Sequence, residues 1–118
     1  MIKVYVNNKS YGVYDFIQLS LQGIFTCEED IWINDEKSDF PCISLLIKNE
    51  FATLYYFENS ESCGCASLSD NIEDNGLFTY NVISVPQRYV IRLTEAMRCI
   101  EQFANLGKRP TNISWEVL

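Results

Sequence analysis

Histidine is absent from all 118 residues. Its absence excludes the Ser-His-Asp and Cys-His arrangements of hydrolytic enzymes, whose nucleophile needs an imidazole partner. Long apolar runs are also missing: none approaches the roughly 18 residues of a membrane-spanning helix. The stretch Met1–Lys9 has no apolar core of the secretory-signal kind. The expectation is therefore a cytoplasmic protein with reduced thiols, in which the glycosylation-like triplets at Asn8 and Asn112 carry no meaning. Glycine is scarce and scattered, five in all, so no Gly-rich phosphate loop of either common pattern exists. Linkers, repeats and low-complexity tracts are missing too. The length suits one domain over residues 1–118, with a core of its own.

Positive charge is the scarcest resource. Sixteen acidic residues face nine basic ones, a net charge of −7. The imbalance is concentrated: residues 1–75 hold 13 acids and four bases, whereas residues 76–118 hold three acids and five bases. Such a surface repels a phosphate backbone, which argues against direct nucleic-acid binding. It attracts a basic protein partner and speeds encounter with it. Solubility alone is the plain alternative.

What is present is a clear alternation of apolar residues. "IKVYV" (2–6) predicts a first strand closed by the polar "NNKS". "YDFIQLSLQG" (14–23) places Phe16 and Leu19 on one stripe and predicts a short helix stopped by Gly23. "DIWIND" (30–35) predicts a strand and "DEKSD" a charged loop. The strongest signal is "CISLLIKNEFATLYYFE" (42–58). Ile43, Leu45 and Ile47 alternate, then Ala52, Leu54 and Tyr56, around a tight turn at Lys48–Glu50. Both faces are apolar there, as in the middle of a sheet. "CGCASLSD" (63–70) is a further candidate strand, "NIEDNG" (71–76) a turn, and "LFTYNVISV" (77–85) one more strand ended by Pro86. "TEAMRCIEQFANLG" (94–107) predicts the main helix, with Thr94 as N-cap and Met97, Ile100, Phe103 and Ala104 facing the sheet. Gly107 and Pro110 stop it, and "NISWEVL" supplies a last strand carrying Trp115 inward. The fold expected is α+β: one antiparallel sheet of about six strands with about two helices packed on it.

Two groups of residues carry candidate chemistry. Cys63 and Cys65, in "CGC", could bind a metal or form a small-ring disulfide. They lack the C-x-x-C spacing of zinc sites and redox motifs, and no second pair follows; two small side chains on alternate strand positions explain them as well. A thiol or metal role for the pair, or a general adaptor role for the whole chain, stays open. The acidic loops are the other group. Glu58 and Glu61 flank one predicted turn; Asp70, Glu73 and Asp74 sit in the next; Glu28, Glu29 and Asp30 precede the second of the strands named above. With Tyr55 as an aromatic anchor, Glu58, Glu61, Asp70, Glu73 and Asp74 form the candidate protein interface. No cofactor is expected.

The chain also resembles a known family. "FPCISLLIKNEFATLYYFE" (40–58) is similar to the central hairpin of the Imm1 family of bacterial immunity proteins. "VPQRYVIRLTEAMRCIEQFANLGKRPTNISWEVL" (85–118) is similar to that family's closing helix, Gly-x-Arg-Pro stop and Trp-Glu strand. Gly107, Arg109, Pro110, Trp115 and Glu116 match the ending one by one, and the likeness spans roughly residues 14–118. The segment "SESCGCASLSD" departs from it, where a more glycine-rich stretch is typical. The resemblance implies a cytoplasmic inhibitor and not an enzyme. Its partner would be a cognate toxin domain, a nucleic-acid deaminase or nuclease, held by protein–protein contact. The matching tail residues would then be structural, with Arg109 paired to Glu116 or capping carbonyls.

Overall fold

The structure, a computed structural model, describes residues 1–70 and 76–118. It is an α+β fold, with two helices lying side by side on one face of a large antiparallel sheet. The chain opens with strands β1 (Ile2–Val6) and β2 (Lys9–Gly12), joined by a two-residue turn in which Asn7 has φ 54°. Helix α1 (Val13–Leu21) follows and ends as expected, with Gly23 at φ 80° just beyond it. Strand β3 (Ile31–Asp35) then leads to the hairpin β4 (Cys42–Lys48) and β5 (Phe51–Phe57). Its turn also holds a left-handed asparagine, Asn49 at φ 56°. Asparagine tolerates that conformation because its short polar side chain bonds to the local backbone. The Phe40–Pro41 peptide before β4 is cis.

After β6 (Cys65–Leu68), residues 77–85 do not make one strand. They make a hairpin, β7 (Leu77–Tyr80) and β8 (Ile83–Pro86), reversed at Asn81 with φ 52°. A two-residue turn can interrupt an alternating pattern without disturbing it, which is why the segment looks continuous. A single 3-10 turn (Gln87–Tyr89) and the two-residue strand β9 (Ile91–Arg92) lead into helix α2 (Leu93–Leu106). Thr94 is not its N-cap. Arg92 holds that place with no side-chain cap bond, and the Leu93 N–H donates to the Glu50 carbonyl at 2.8 Å. Strand β10 (Ser114–Val117) closes the chain.

The main sheet runs β10-β6-β5-β4-β3-β1-β2, with β9 also paired to β5. It thus has eight strands, and the β7–β8 hairpin brings the described total to ten rather than about six. On the helix side, Val4, Ile33, Ile43, Leu45 and Leu54 meet Phe16, Met97, Ile100 and Phe103, all buried. Ala104 is only half-buried. On the other side the β7–β8 hairpin and the 3-10 turn cover part of β4, β5 and β6, enclosing Tyr80, Val85 and Tyr89 over Ala66. Lys48 pins the hairpin down: its ammonium donates to the Thr79 carbonyl at 2.9 Å and lies 5.4 Å from the Phe78 ring centre.

One edge of β5 is shared. Tyr55 and Tyr56 pair with β6, while Phe51 and Ala52 pair with β9. The sheet forks at Thr53 and Leu54 between them, and side chains replace the missing ladder. Ser67 Oγ accepts from the Leu54 N–H (3.1 Å) and donates to the Tyr89 carbonyl (2.8 Å). Thr53 Oγ1 bonds the same carbonyl (3.1 Å) and the Tyr80 hydroxyl (3.0 Å). Both residues are fully buried, and these bonds satisfy them. Burial also raises the pKa of Tyr80 well above that of an ordinary phenol.

Candidate protein-binding surface

The register places the β3–β4 connection and the β5–β6 turn at one end of the sheet, because Asn34 pairs with Cys42 and Cys42 with Phe57. Glu58 and Glu61 are exposed in that turn. It is a built turn. The Glu61 N–H donates to Asn59 Oδ1 (3.0 Å), and the Gly64 N–H to Ser62 Oγ (3.0 Å). Glu58 accepts from the Tyr56 hydroxyl at 2.6 Å, a bond that ties its carboxylate to the core. Exposed Glu36 and Asp39 share this end. Asp35 lies here as well; the Lys37 backbone N–H, then the terminal ammonium 3.1 Å away, lower its pKa.

Asp70 is not part of this group. β6 runs away from the β5–β6 turn, so Asp70 emerges at the opposite end, roughly 13 Å of strand further on. There it borders a cleft of about 600 Å³ at the fork, also lined by Ser69, Arg92, Glu95 and Asn112. Glu73 and Asp74 lie outside the described residues. Tyr55 is half-buried, edge-on to Tyr89 with ring centres 6.4 Å apart, and burial raises its pKa. In the cluster at 28–30, Glu29 and Asp30 each bond locally, and Glu28 and Asp30 stay exposed. Glu29 accepts from the Thr26 N–H and hydroxyl at 2.7 and 2.9 Å. Asp30 accepts from the Trp32 indole at 3.0 Å. Sequence reasoning passed over Asp39, whose turn lies at the same end of the sheet as that of Glu58 and Glu61. The charged "DEKSD" stretch was its signal.

The tail residues interlock. Gly107 closes α2 at φ 65°, its N–H donating to the Phe103 carbonyl at 2.8 Å. The buried Pro110 offers its carbonyl to the Trp115 indole (2.8 Å), and Trp115 packs 6.2 Å from Tyr56. Arg109 and Glu116 do not meet, because adjacent strand positions send Trp115 and Glu116 to opposite faces. The Arg109 guanidinium points at Cys65 Sγ (3.4 Å). Glu116 accepts instead from the Tyr89 hydroxyl and pairs with Arg88 (3.3 Å). The Tyr89 bond, then Arg88, lowers the pKa of Glu116.

All five cysteines are free, with Cys63 exposed, Cys65 half-buried and Cys42 and Cys99 buried. Among the described residues no three or more Cys, Asp or Glu side chains gather as a metal site. No helix among them is long and apolar enough to cross a membrane. The chain matches no family model and no curated protein.

Proposed function

We propose that this protein is an immunity protein. In this reading it binds a cognate bacterial toxin domain, one that attacks nucleic acid as a deaminase or nuclease, and neutralises it stoichiometrically through its acidic surface. The observation that supports the reading most is the acidic end of the sheet. Glu58, Glu61 and Asp39 stand exposed on turns that internal hydrogen bonds hold in place. A toxin that binds nucleic acid needs a basic cleft, and fixed carboxylates facing it favour fast and selective association. The resemblance of residues 85–118 to the Imm1 ending points the same way. The protein then works in the cytoplasm, beside the target it guards.

The test is a tagged pull-down from the native host, with growth assays on what co-purifies. A stoichiometric partner that kills cells lacking this protein is the expected result. Reversing Glu58 and Glu61 to Lys should weaken its capture at least tenfold. Unchanged capture by that variant refutes the acidic end as the interface. A non-toxic partner, or stoichiometric metal bound at Cys63 and Cys65, refutes the immunity reading.

A further inference from the structure

The helices cover one face of the sheet, but the β7–β8 hairpin covers only part of the other. Beyond its edge lie two rows of side chains in which Trp32 is exposed, Cys42 is buried and the others are half-buried. Tyr5, Trp32 and Ser44 stand in register across β1, β3 and β4, and Asn34, Cys42 and Phe57 form the next row. Trp32 is 38% exposed, and its ring centre lies 6.3 Å from that of Phe57.

Both rings are fixed in advance. The Trp32 indole N–H is bonded to Asp30 at 3.0 Å. Phe57 rests on Gly64, whose backbone at φ 90° would place any Cβ 2.7 Å from a ring carbon. Single exposed apolar side chains are ordinary. Two aromatic rings in contact, held rigid on an open sheet face, are what the centre of a protein interface is made of.

Charge decides the occupant. Asp30 sits against Trp32 on this face, and exposed Glu61 and Asp39 stand at the end of the sheet where Phe57 lies, whereas the Glu58 carboxylate is turned to the helix side, onto the Tyr56 hydroxyl. Lys3, which pairs with Asn34, is a cation on this part of the face, and Lys48, further along the same face, is held by the β7–β8 hairpin. A second copy of the chain would set two net charges of −7 against each other, and a nucleic-acid backbone would meet the same repulsion. A cationic side chain meets attraction twice: over the ring faces and at the Asp30 carboxylate beside them.

We propose that the Trp32–Phe57 face is the docking surface for an arginine-bearing segment of a partner protein, one guanidinium stacking on Trp32 within reach of Asp30. This deepens the immunity reading, and rests on it only for the partner's identity.

Nitrogen-15-labelled full chain is titrated with two peptides, acetyl-Gly-Arg-Leu-Arg-Gly-amide and its Glu-for-Arg counterpart. The arginine peptide should shift the Trp32 indole signal and the amides of Tyr5, Ser44 and Phe57, and the glutamate peptide should not. Trp32→Ala should weaken arginine-peptide binding at least fivefold. Trp32 lies outside the core, so the variant should keep the wild-type amide spectrum elsewhere; Asp30→Asn is the second variant and should weaken binding at least twofold. Shifts confined to residues 58–64, equal shifts with both peptides, or undiminished binding by both variants overturns the proposal. The pull-down separates the two readings. A toxin captured equally by wild type and Trp32→Ala sinks this surface and leaves the immunity reading standing. Arginine-selective binding at Trp32 with a non-toxic natural partner does the reverse.

Discussion

Replacing Gly64 by Ala should be among the most costly single-methyl additions in this protein. Two effects combine. Residue 64 has φ 90°, where an L side chain is strained, costing about 1–2 kcal/mol. The new Cβ would also sit 2.7 Å from Phe57 Cε1 and 3.3 Å from the Tyr56 carbonyl oxygen. Clearing it pushes the Phe57 ring off its preferred rotamer, about 0.5–1.5 kcal/mol more. The sum is roughly 2–3 kcal/mol, which lowers Tm by about 8–12 °C for a domain of this size. Gly107→Ala is the control. It too has positive φ, at 65°, but nothing lies within 4 Å of its would-be Cβ, so only the backbone cost of about 1–2 kcal/mol applies. Urea unfolding of both variants, followed by circular dichroism, separates the two. Equal losses would refute the claim that the Phe57 ring is seated on Gly64.

Further outcomes follow from the buried groups. Ser67→Ala removes the hydroxyl that serves the Leu54 N–H and the Tyr89 carbonyl, and should cost about 1–3 kcal/mol in urea unfolding; no loss would mean the fork does not depend on that side chain. Under native conditions an aromatic disulfide reagent should modify exposed Cys63 first and Cys99 only on unfolding. Burial pushes the Cys99 thiol up to about 12. The folded chain therefore keeps a proton that the unfolded chain sheds from about 9. This contribution to stability is complete below pH 9 and is lost as pH climbs toward 12. A Cys99→Ala variant whose alkaline unfolding profile matches wild type would refute it.

The elements that were legible in the sequence were those whose alternation reports one buried face. Ile43, Leu45, Ile47, Ala52, Leu54 and Tyr56 alternate because each is buried in the core shared with the two helices. β2 was illegible for the opposite reason. Lys9-Ser10-Tyr11-Gly12 is an edge strand with little to bury. The start of α2 was misplaced because its first free N–H is met by the Glu50 carbonyl, a partner far away in sequence. For the site, Glu58 and Glu61 could be placed on one turn from local pattern alone. Their separation from Asp70 could not, since it follows from the direction of β6 in the sheet. The Trp32–Phe57 face was hidden for the same reason: openness there depends on where a distant hairpin stops.

The fork at β5 also orders events in time. β1 meets β2, and β4 meets β5, across two-residue turns, so those pairs zip locally and early. The strands that finish this side of the sheet come late: β9 arrives from the last third of the chain to pair with β5, and β10 must return to pair with β6, Val117 opposite Cys65. A growing or refolding chain therefore passes through a half-finished sheet in which β5 at Phe51 and Ala52, and the outer edge of β6, are unpaired and ready to accept any strand that reaches them. Variants that slow the docking of the final thirty residues will show first as lost yield through association, before any change in the finished fold can be measured.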